Sequence, residues 1–285
     1  MKKLNLIVDV ARCNNCSNCT LAMMDEYVGN DFPGYTASAE QGGAAWIQIK
    51  RRDRGEGSHI DVAYMPTMCN HCDNPPCAKG AEGIVIKRDD GIVLIDPQKS
   101  VGRRDIMARC PYGAITWNSE LNIPQNWPFD AHLLDAGAAM PRCQNVCPSG
   151  VYETVRLTDR DMRARAQADG LAVRSPELGA MPRVFYKNLH RITSRMIGGS
   201  AFGRQNGVVD CVEGALVELR DSNQLLASVT TDVFGDFRFD GLPAEDRTYE
   251  VRIAKDNFTS WRGDVVLHRQ DGVSMGTVIL EAAGM

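Results

Sequence analysis

The sequence predicts an α+β protein in two parts: a cysteine-rich, metal-binding N-terminal domain with insertions, followed by a small all-β sandwich. Nine of the ten cysteines lie between Cys13 and Cys147, and Cys211 alone lies beyond them. From about Val208 the chain shows short alternating apolar and polar runs separated by turn signals, which is typical of a sandwich. We therefore predict domains at residues 1–200 and 201–285.

The composition is that of a globular protein and excludes several other classes. The chain has 285 residues, enough for two domains, and its net charge of −4 gives no reason to expect a nucleic acid or an anionic membrane as partner. No apolar run approaches the roughly 18–20 residues of a membrane span, and residues 1–9 are too short in their apolar part for a signal peptide. We expect a cytoplasmic protein without a membrane anchor.

The first cysteine motif contains Cys13, Cys16 and Cys19, with two residues between each pair. This C-x2-C-x2-C spacing is that of bacterial ferredoxins, in which such a loop holds an iron–sulfur cluster. Three thiolates require a fourth from elsewhere in the chain. Before the motif, Leu6–Asp9 is predicted as an edge strand, and after it residues 21–27 are predicted as one or two helical turns.

A polar insertion at residues 29–66 separates this motif from a second one, and residues 46–49 within it alternate like a strand. The second motif has the spacing C-x2-C-x4-C, with the cysteines Cys69, Cys72 and Cys77. After it, residues 84–86 and 92–96 flank an Asp-Asp-Gly turn and are predicted to form a hairpin.

A Cys-Pro-x-Gly sequence occurs twice, beginning at Cys110 and at Cys147. Proline lacks an N–H and cannot continue a helix, so the chain is expected to turn away into a strand. This sequence ends a ferredoxin motif, and its recurrence indicates an internal repeat.

The last part of the chain contains a helix-prone run at residues 159–170 and an extended run at 183–187. We consider two roles for the extended run: an arm against a partner, or part of a strap, residues 153–200, packed on its own domain. Strands are predicted at residues 215–220, 226–232, 235–239 and 249–253. The sequence Thr231–Phe239 resembles transthyretin-like or carboxypeptidase-regulatory-like domains.

The layout of the first 150 residues resembles the four-cluster ferredoxin-like subunits of molybdopterin oxidoreductases. In that family, motifs one and four exchange their last cysteines, as do motifs two and three. Applied here, the resemblance implies two [4Fe–4S] clusters. One would be bound by Cys13, Cys16, Cys19 and Cys147, and the other by Cys69, Cys72, Cys77 and Cys110.

The resemblance also implies two sites that have lost their ligands. The first retains Cys143 alone and has Met23, Trp127 and Asp130 at its other positions. The second retains no cysteine, and its positions fall near Lys79, Ala81, Ser100, Arg103 and Ile106. If the family's cluster order holds, the first of these sites lies between the two complete clusters. The missing cysteines are grouped by site, since two sites are complete and two are stripped. Random loss of cysteines would not produce this distribution.

Other interpretations remain open for these residues. Zinc could bind four cysteines, although zinc sites usually pair two C-x2-C knuckles. Asp130 could replace a thiolate beside Cys143 in a third, vestigial cluster. We otherwise expect Cys143 and Cys211 to be buried structural thiols, and His71 to be a loop residue near a cluster or a partner contact. We expect apolar shielding of the sulfurs from Met23, Met24, Met65 and Met68.

A narrower resemblance covers nearly the whole chain. Residues 31–38, 131–135 and 182–189, together with the C-terminal sandwich, are similar to the small subunits of pyrogallol–phloroglucinol transhydroxylases and resorcinol hydroxylases. This resemblance implies a large catalytic partner that carries molybdenum bound to two pterin guanine dinucleotides. There a hydroxyl group is added to, or moved between, phenolic rings.

The sequence itself contains no catalytic constellation and no nucleotide-binding loop. A cluster held by four thiolates has no open position for a substrate, so its work is one-electron transfer. We therefore predict an electron-transfer subunit of a molybdenum hydroxylase or transhydroxylase. The alternative is a structural partner whose clusters stabilise the complex without carrying turnover electrons. A free-standing ferredoxin is disfavoured by the insertion, the strap and the sandwich.

Overall fold

Each of the two units in the computed structural model, which describes residues 1–267 and 271–283, is built from two segments of chain. The N-terminal unit contains residues 1–50 and 64–189, and the C-terminal unit contains residues 51–63 and the described residues from 190 onward. The boundary predicted near residue 200 falls inside a strand at Arg195–Gln205. Because that strand pairs along its length with strands of the C-terminal unit, the change of unit comes after Leu189 instead.

The regular elements up to residue 189 are mostly short, as expected for a domain organised around loops. They are β1 (Lys3–Asp9), α1 (Asn18–Tyr27), β2 (Gln48–Glu56), β3 (His59–Thr67), β4 (Val85–Lys87), β5 (Val93–Ile95), α2 (Arg104–Ala108), β6 (Thr116–Asn118), β7 (Ile123–Gln125), α3 (Ala131–Asp135), α4 (Arg142–Asn145), β8 (Tyr152–Leu157), α5 (Asp159–Asp169) and β9 (Val184–Lys187). The predicted hairpin is confirmed as β4 paired with β5. The predicted helix at 159–170 is confirmed as α5, which Thr158 caps and Gly170 ends in a left-handed conformation.

Strand β1 lies in the middle of a sheet, so the prediction of an edge strand is wrong. It pairs antiparallel with β8 on one side and parallel with β9 on the other. Residues 4–8 are all buried, as expected for a strand covered on both faces. Because β9 completes this sheet, residues 184–187 pack on their own domain, which favours the strap over the arm.

The C-terminal unit contains a β-sandwich. Its elements are α6 (His190–Thr193), β10 (Arg195–Gln205), β11 (Val208–Cys211), β12 (Leu216–Asp221), β13 (Gln224–Thr230), β14 (Asp236–Leu242), β15 (Arg247–Ala254), β16 (Trp261–Leu267) and β17 (Gly272–Glu281). Among the described residues, β11, β10, β14 and β17 form one sheet, and β13, β12, β15 and β16 form the other. A single apolar core contains side chains from both sheets. The four predicted strands are confirmed as β12 to β15.

A buried arginine links the tip of the β2–β3 hairpin to the rest of the C-terminal unit. The guanidinium of Arg54 donates to Asp61 and to Asp240, each at 2.7 Å, and its side chain is fully buried. Arg191 also donates to Asp61. Burial by itself would raise the pKa of Asp61, but the hydrogen bonds from Arg191 and Arg54 outweigh it and hold that pKa at about 2.

No helix in the described part of the chain is long and apolar enough to cross a membrane.

We predict that Arg54→Met lowers the stability of the C-terminal unit by about 1.5–3 kcal/mol, because the buried Asp61 and the half-buried Asp240 lose their shared donor while Arg191 stays beside Asp61. Amide hydrogen exchange of β15 in urea measures this free energy of opening. The control is Arg204→Met, which breaks an exposed ion pair with Glu281 and is expected to cost less than about 1 kcal/mol. Equal losses in the two variants would contradict the prediction.

Candidate metal centres

Four of the predicted ligands surround one cavity in the N-terminal unit. Cys13, Cys16, Cys19 and Cys147 all line this cavity. Sheet pairing brings them together, because β1 leads into the first cysteine loop and β8 follows Cys147. Val8 lies opposite Tyr152, and the N–H of Asp9 donates to the carbonyl of Val151 at 2.8 Å.

The other four predicted ligands surround a second cavity in the same unit. Cys69, Cys72, Cys77 and Cys110 all line this cavity. The hairpin β4–β5 and helix α2 support this site, because Cys77 packs in one apolar cluster with Val93, Ile95 and Ile106. The structure therefore groups the eight cysteines in the same two sets of four that the sequence predicts.

The two three-cysteine loops share a turn in which the backbone enters the left-handed region. Asn15 and His71 occupy the same place, two residues after the first cysteine, and have φ angles of 61° and 45°. Such angles are uncommon outside glycine, and asparagine and histidine are among the residues that tolerate them best. The turn curls each loop around its cavity, so that its three thiols face the same space.

The two Cys-Pro-x-Gly sequences also have the same local geometry. The N–H of Ala114 lies 3.4 Å from the sulfur of Cys110, and the N–H of Val151 lies 3.3 Å from the sulfur of Cys147. Glycine permits this turn, since Gly113 and Gly150 have φ angles of 64° and 61°. An N–H that points at a thiolate sulfur stabilises its negative charge, and in iron–sulfur proteins it adjusts the reduction potential.

The thiols of each set raise one another's pKa. Burial, followed by the nearby Cys77 and Cys110, raises the pKa of Cys72 to about 12. Burial and Cys110 raise the pKa of Cys77 to about 11. In the first set, burial and the neighbours Cys19, Cys147 and Cys16 raise the pKa of Cys13. Four thiolates can share such a space only when a cationic group is bound between them.

The donor chemistry of both cavities fits an iron–sulfur cluster, because each offers four thiols and little else that could ligate iron. Within residues 1–267 and 271–283, no three His, Cys, Asp or Glu side chains are placed to hold a single metal ion. The second cavity also contains two buried polar groups without a hydrogen-bond partner in the described structure, the Asn70 side-chain amide and the Tyr112 hydroxyl. A sulfur of a bound cluster could accept from either group.

The site that retains Cys143 alone is filled by side chains. Trp127, Asp130, Met23 and Cys143 are all nearly fully buried. The carboxylate of Asp130 accepts from the Tyr27 hydroxyl at 2.6 Å, from the Trp127 indole at 3.0 Å and from the backbone N–H of Arg142 at 2.7 Å. Each oxygen of Asp130 thus already has at least one donor, which disfavours its role as ligand of a vestigial cluster.

The site that retains no cysteine has become part of an apolar core. Ala81 and Ile106 are buried in the same cluster as Val85, Ile95 and Ile115. Ser100 is buried as well. This space is packed by aliphatic side chains that cannot bind iron.

Most of the remaining residues singled out from the sequence lie where they were expected. His71 is 1% exposed, which excludes a surface contact, and its Nδ1 accepts from the N–H of Val93 at 3.0 Å. Burial, followed by the nearby Lys87 charge, lowers the pKa of His71 to about 3. Of the four methionines expected to shield the sulfurs, Met23, Met65 and Met68 are buried and Met24 is half-buried. Cys211 is only half-buried, so the expectation of a buried thiol is wrong there.

Four residues near the cavities were missed by the sequence analysis: Asn70, Tyr112, Tyr152 and Lys87. Of these, Asn70 alone carries a signal in the sequence, since asparagine follows the first cysteine of both three-cysteine loops. Lys87 ends β4, and its ammonium group donates to the carbonyl of His71 at 2.9 Å. Its place beside the second set depends on the packing of the hairpin, which the sequence does not reveal.

Comparison with known proteins agrees with this geometry. Residues 60–157 match the family of 4Fe–4S dicluster domains. The chain is 39% identical over 283 residues to the pyrogallol hydroxytransferase small subunit of Pelobacter acidigallici, which covers 98% of this chain and 100% of that protein. This chain belongs to the family of pyrogallol hydroxytransferase small subunits. The resemblance inferred from the sequence is thereby confirmed.

More distant relatives of this small-subunit family match part of the chain. A tetrathionate reductase subunit of Salmonella typhimurium is 30% identical over 191 residues, covering 65% of this chain and 72% of that protein. The iron–sulfur subunit of the arsenate respiratory reductase of a Shewanella species is 29% identical over 140 residues, covering 49% and 55%. Klebsiella pneumoniae 5-hydroxyisourate hydrolase resembles 31% of this chain and 92% of its own, with a TM-score of 0.25, which is too low to identify a fold.

We predict that Cys147→Ala removes about half of the bound iron, from roughly eight to roughly four atoms per chain, because one set of four thiolates is broken. Cys110→Ala should likewise remove the iron bound at the other set. The variant that carries both substitutions should bind no iron. Iron analysis of the purified protein measures these contents. Cys143→Ala is the matched control and should leave the iron content unchanged. Loss of all iron in either single variant would contradict the pairing.

Proposed function

We propose that this chain is the iron–sulfur electron-transfer subunit of a heteromeric molybdopterin enzyme that hydroxylates or transhydroxylates phenolic aromatics. The observation that carries the proposal is the pair of four-cysteine cavities in a chain that aligns end to end with a pyrogallol hydroxytransferase small subunit. Electron transfer is the chemistry that bound clusters would supply.

The proposal assigns two [4Fe–4S] clusters to this chain. The ligands of one are Cys13, Cys16, Cys19 and Cys147, and those of the other are Cys69, Cys72, Cys77 and Cys110. The protein's own part is to hold eight thiolates in two groups, to bury half of them, and to direct N–H groups at Cys110 and Cys147. The active site would lie on a large partner subunit that carries molybdenum bound to two pterin guanine dinucleotides.

The C-terminal sandwich has no assigned chemistry, and we propose that it is transthyretin-like. Support comes from the two facing sheets with one core and from the strand–turn–strand at Thr231–Phe239. There the carboxylate of Asp232 accepts from the N–H groups of Phe234 and Asp236, each at 2.9 Å. We also propose that the complex is cytoplasmic.

The filled site around Trp127 favours a second candidate function, in which the clusters stabilise the complex but carry no turnover electrons. If the family's cluster order applies, that site lies between the two retained clusters, and packed side chains there interrupt a continuous line of redox centres. Both functions predict two clusters and a molybdenum-bearing partner. They differ in whether the clusters change oxidation state during turnover.

Rapid mixing of the purified complex with a phenolic substrate separates the two functions. If this chain transfers electrons, cluster reduction signals in absorbance or electron paramagnetic resonance should appear and decay within one turnover. Clusters that stay in one oxidation state while product forms would support the structural role. Before that, metal analysis of the co-purified complex should find roughly eight iron atoms on this chain and molybdenum on the partner; a complex without molybdenum would overturn the proposal.

A further inference from the structure

Asp130 is a buried carboxylate without a cationic partner in the described ion pairs. It is 2% exposed, and its donors are the Tyr27 hydroxyl, the Trp127 indole and the backbone N–H of Arg142. The guanidinium of Arg142 does not reach it, because that group pairs with Asp25 and Glu26. Three hydrogen-bond donors stabilise a carboxylate in such a place, but none of them cancels its charge.

Two of these contacts attach Asp130 to the elements that hold the first cysteine set. Tyr27 is the last residue of α1, which carries Cys19 in its first turn. Arg142 begins α4, which is followed directly by the Cys-Pro turn of Cys147. Cys143 follows Arg142 in α4 and is a buried thiol. Its pKa is raised by burial, then by the nearby Asp130, and then by Cys19. Asp130 is therefore hydrogen-bonded to both helices that flank the first cysteine set, the one that carries Cys19 and the one that precedes Cys147.

A charge of the opposite sign lies beside the second set. The ammonium group of Lys87 donates to the carbonyl of His71, between Cys69 and Cys72, at 2.9 Å, and to the carbonyl of Gly91 at 2.6 Å. It also pairs with Asp73 at 2.9 Å. Asp73 is shared with the buried Arg183 and with Lys3, and Asp159 pairs with both of these cations. The cations Lys87, Arg183 and Lys3 outnumber the carboxylates Asp73 and Asp159, so this ion-pair network has a net positive charge.

We propose that Asp130 and Lys87 are fixed charges of opposite sign that separate the reduction potentials of the two cluster sites. A nearby negative charge disfavours the addition of an electron, and a nearby positive charge favours it. Asp130 thus lowers the potential at the first site and Lys87 raises it at the second. Both groups are positioning residues that do not ligate iron. The inference rests on the proposed function, because it requires both sites to hold a cluster.

The side chains that fill the site around Trp127 strengthen the effect of the Asp130 charge in this proposal. Its aromatic side chains exclude water from Asp130, and Trp127 extends to the second set, where its ring lies 5.8 Å from that of His71. Exclusion of water keeps the effective dielectric constant low, so the carboxylate acts over a longer distance than a surface charge would. The site around Trp127, which retains Cys143 alone, would therefore still influence the cluster potentials through the charge of Asp130.

The test is a redox titration of the purified complex, followed by electron paramagnetic resonance. Cys147→Ala and Cys110→Ala assign the two reduction steps to their sites, since each should remove one step. We expect Asp130→Asn to shift the first site's potential in the positive direction, by more than the second site's. We expect Lys87→Met to shift the second site's potential in the negative direction, by more than the first site's.

Three further variants separate charge from packing. Tyr27→Phe removes a hydrogen bond to Asp130 without changing the charge, and Asp130→Glu keeps the charge, so both should shift the first potential much less than Asp130→Asn. Glu120→Gln removes an exposed charge of the same unit and should shift neither. Equal shifts at both sites, or a Tyr27→Phe shift as large as that of Asp130→Asn, would overturn the inference. A complex that lacks two cluster signals would instead overturn the proposed function.

If Asp130→Asn does not fold, Asp130→Ser removes the same charge and replaces it in the test at the first site, and Lys87→Met tests the second site independently. An unshifted second potential in Lys87→Met would overturn the inference, and a negative shift confined to that site would support it. All of these readouts are potentials measured without substrate, so they do not depend on turnover by the partner subunit.

Discussion

The pairing of β1 with β8 is the constraint on which the first cysteine site depends. Cys147 is distant in sequence from the loop that carries the other three cysteines, and thiolates repel one another unless a cation joins them. The sheet resolves this problem by fixing Val8 opposite Tyr152, so the Cys-Pro turn that precedes β8 lies over the loop that follows β1. Because β9 covers the other edge of β1, this arrangement is held from both sides.

Side chains fill, in two different ways, the two places where the family resemblance implies lost cluster sites. A lost cluster would leave a void, and an unfilled void in a packed interior is destabilising. At one site aliphatic side chains around Ile106 close the space. At the other, the aromatic rings of Tyr27, Trp127 and Phe129 occupy it, and Asp130 satisfies the indole and the phenol. The second solution keeps a charge in the interior, whereas the first does not.

Burial differs between the two cysteine sets, and this has consequences for their chemistry. Cys69, Cys72 and Cys77 are buried, whereas Cys16 is exposed and Cys13 and Cys147 are half-buried. Solvent near a cluster stabilises its more negative, reduced form, so exposure raises a reduction potential. In the proposed two-cluster protein, exposure at the first set would therefore act against the Asp130 charge, and the potential of each site would be the balance of water, N–H groups and fixed charges.

The sequence by itself determined the ligand types and their local loops. Cysteine spacing, Cys-Pro turns and the Asp-Asp-Gly hairpin are local signals, since each depends on residues a few positions apart. The pairing of each three-cysteine loop with a distant Cys-Pro turn came from the family resemblance, and the structure places the same two sets of four around its two cavities. Alternating runs likewise predicted strands β12 to β15. Only the tertiary structure decided that β1 is central, that the strap joins its sheet, that Asp130 accepts from Tyr27, and that Lys87 donates to the carbonyl of His71. Those facts depend on contacts between residues far apart in the chain, such as Tyr27 with Asp130, and no local pattern encodes them.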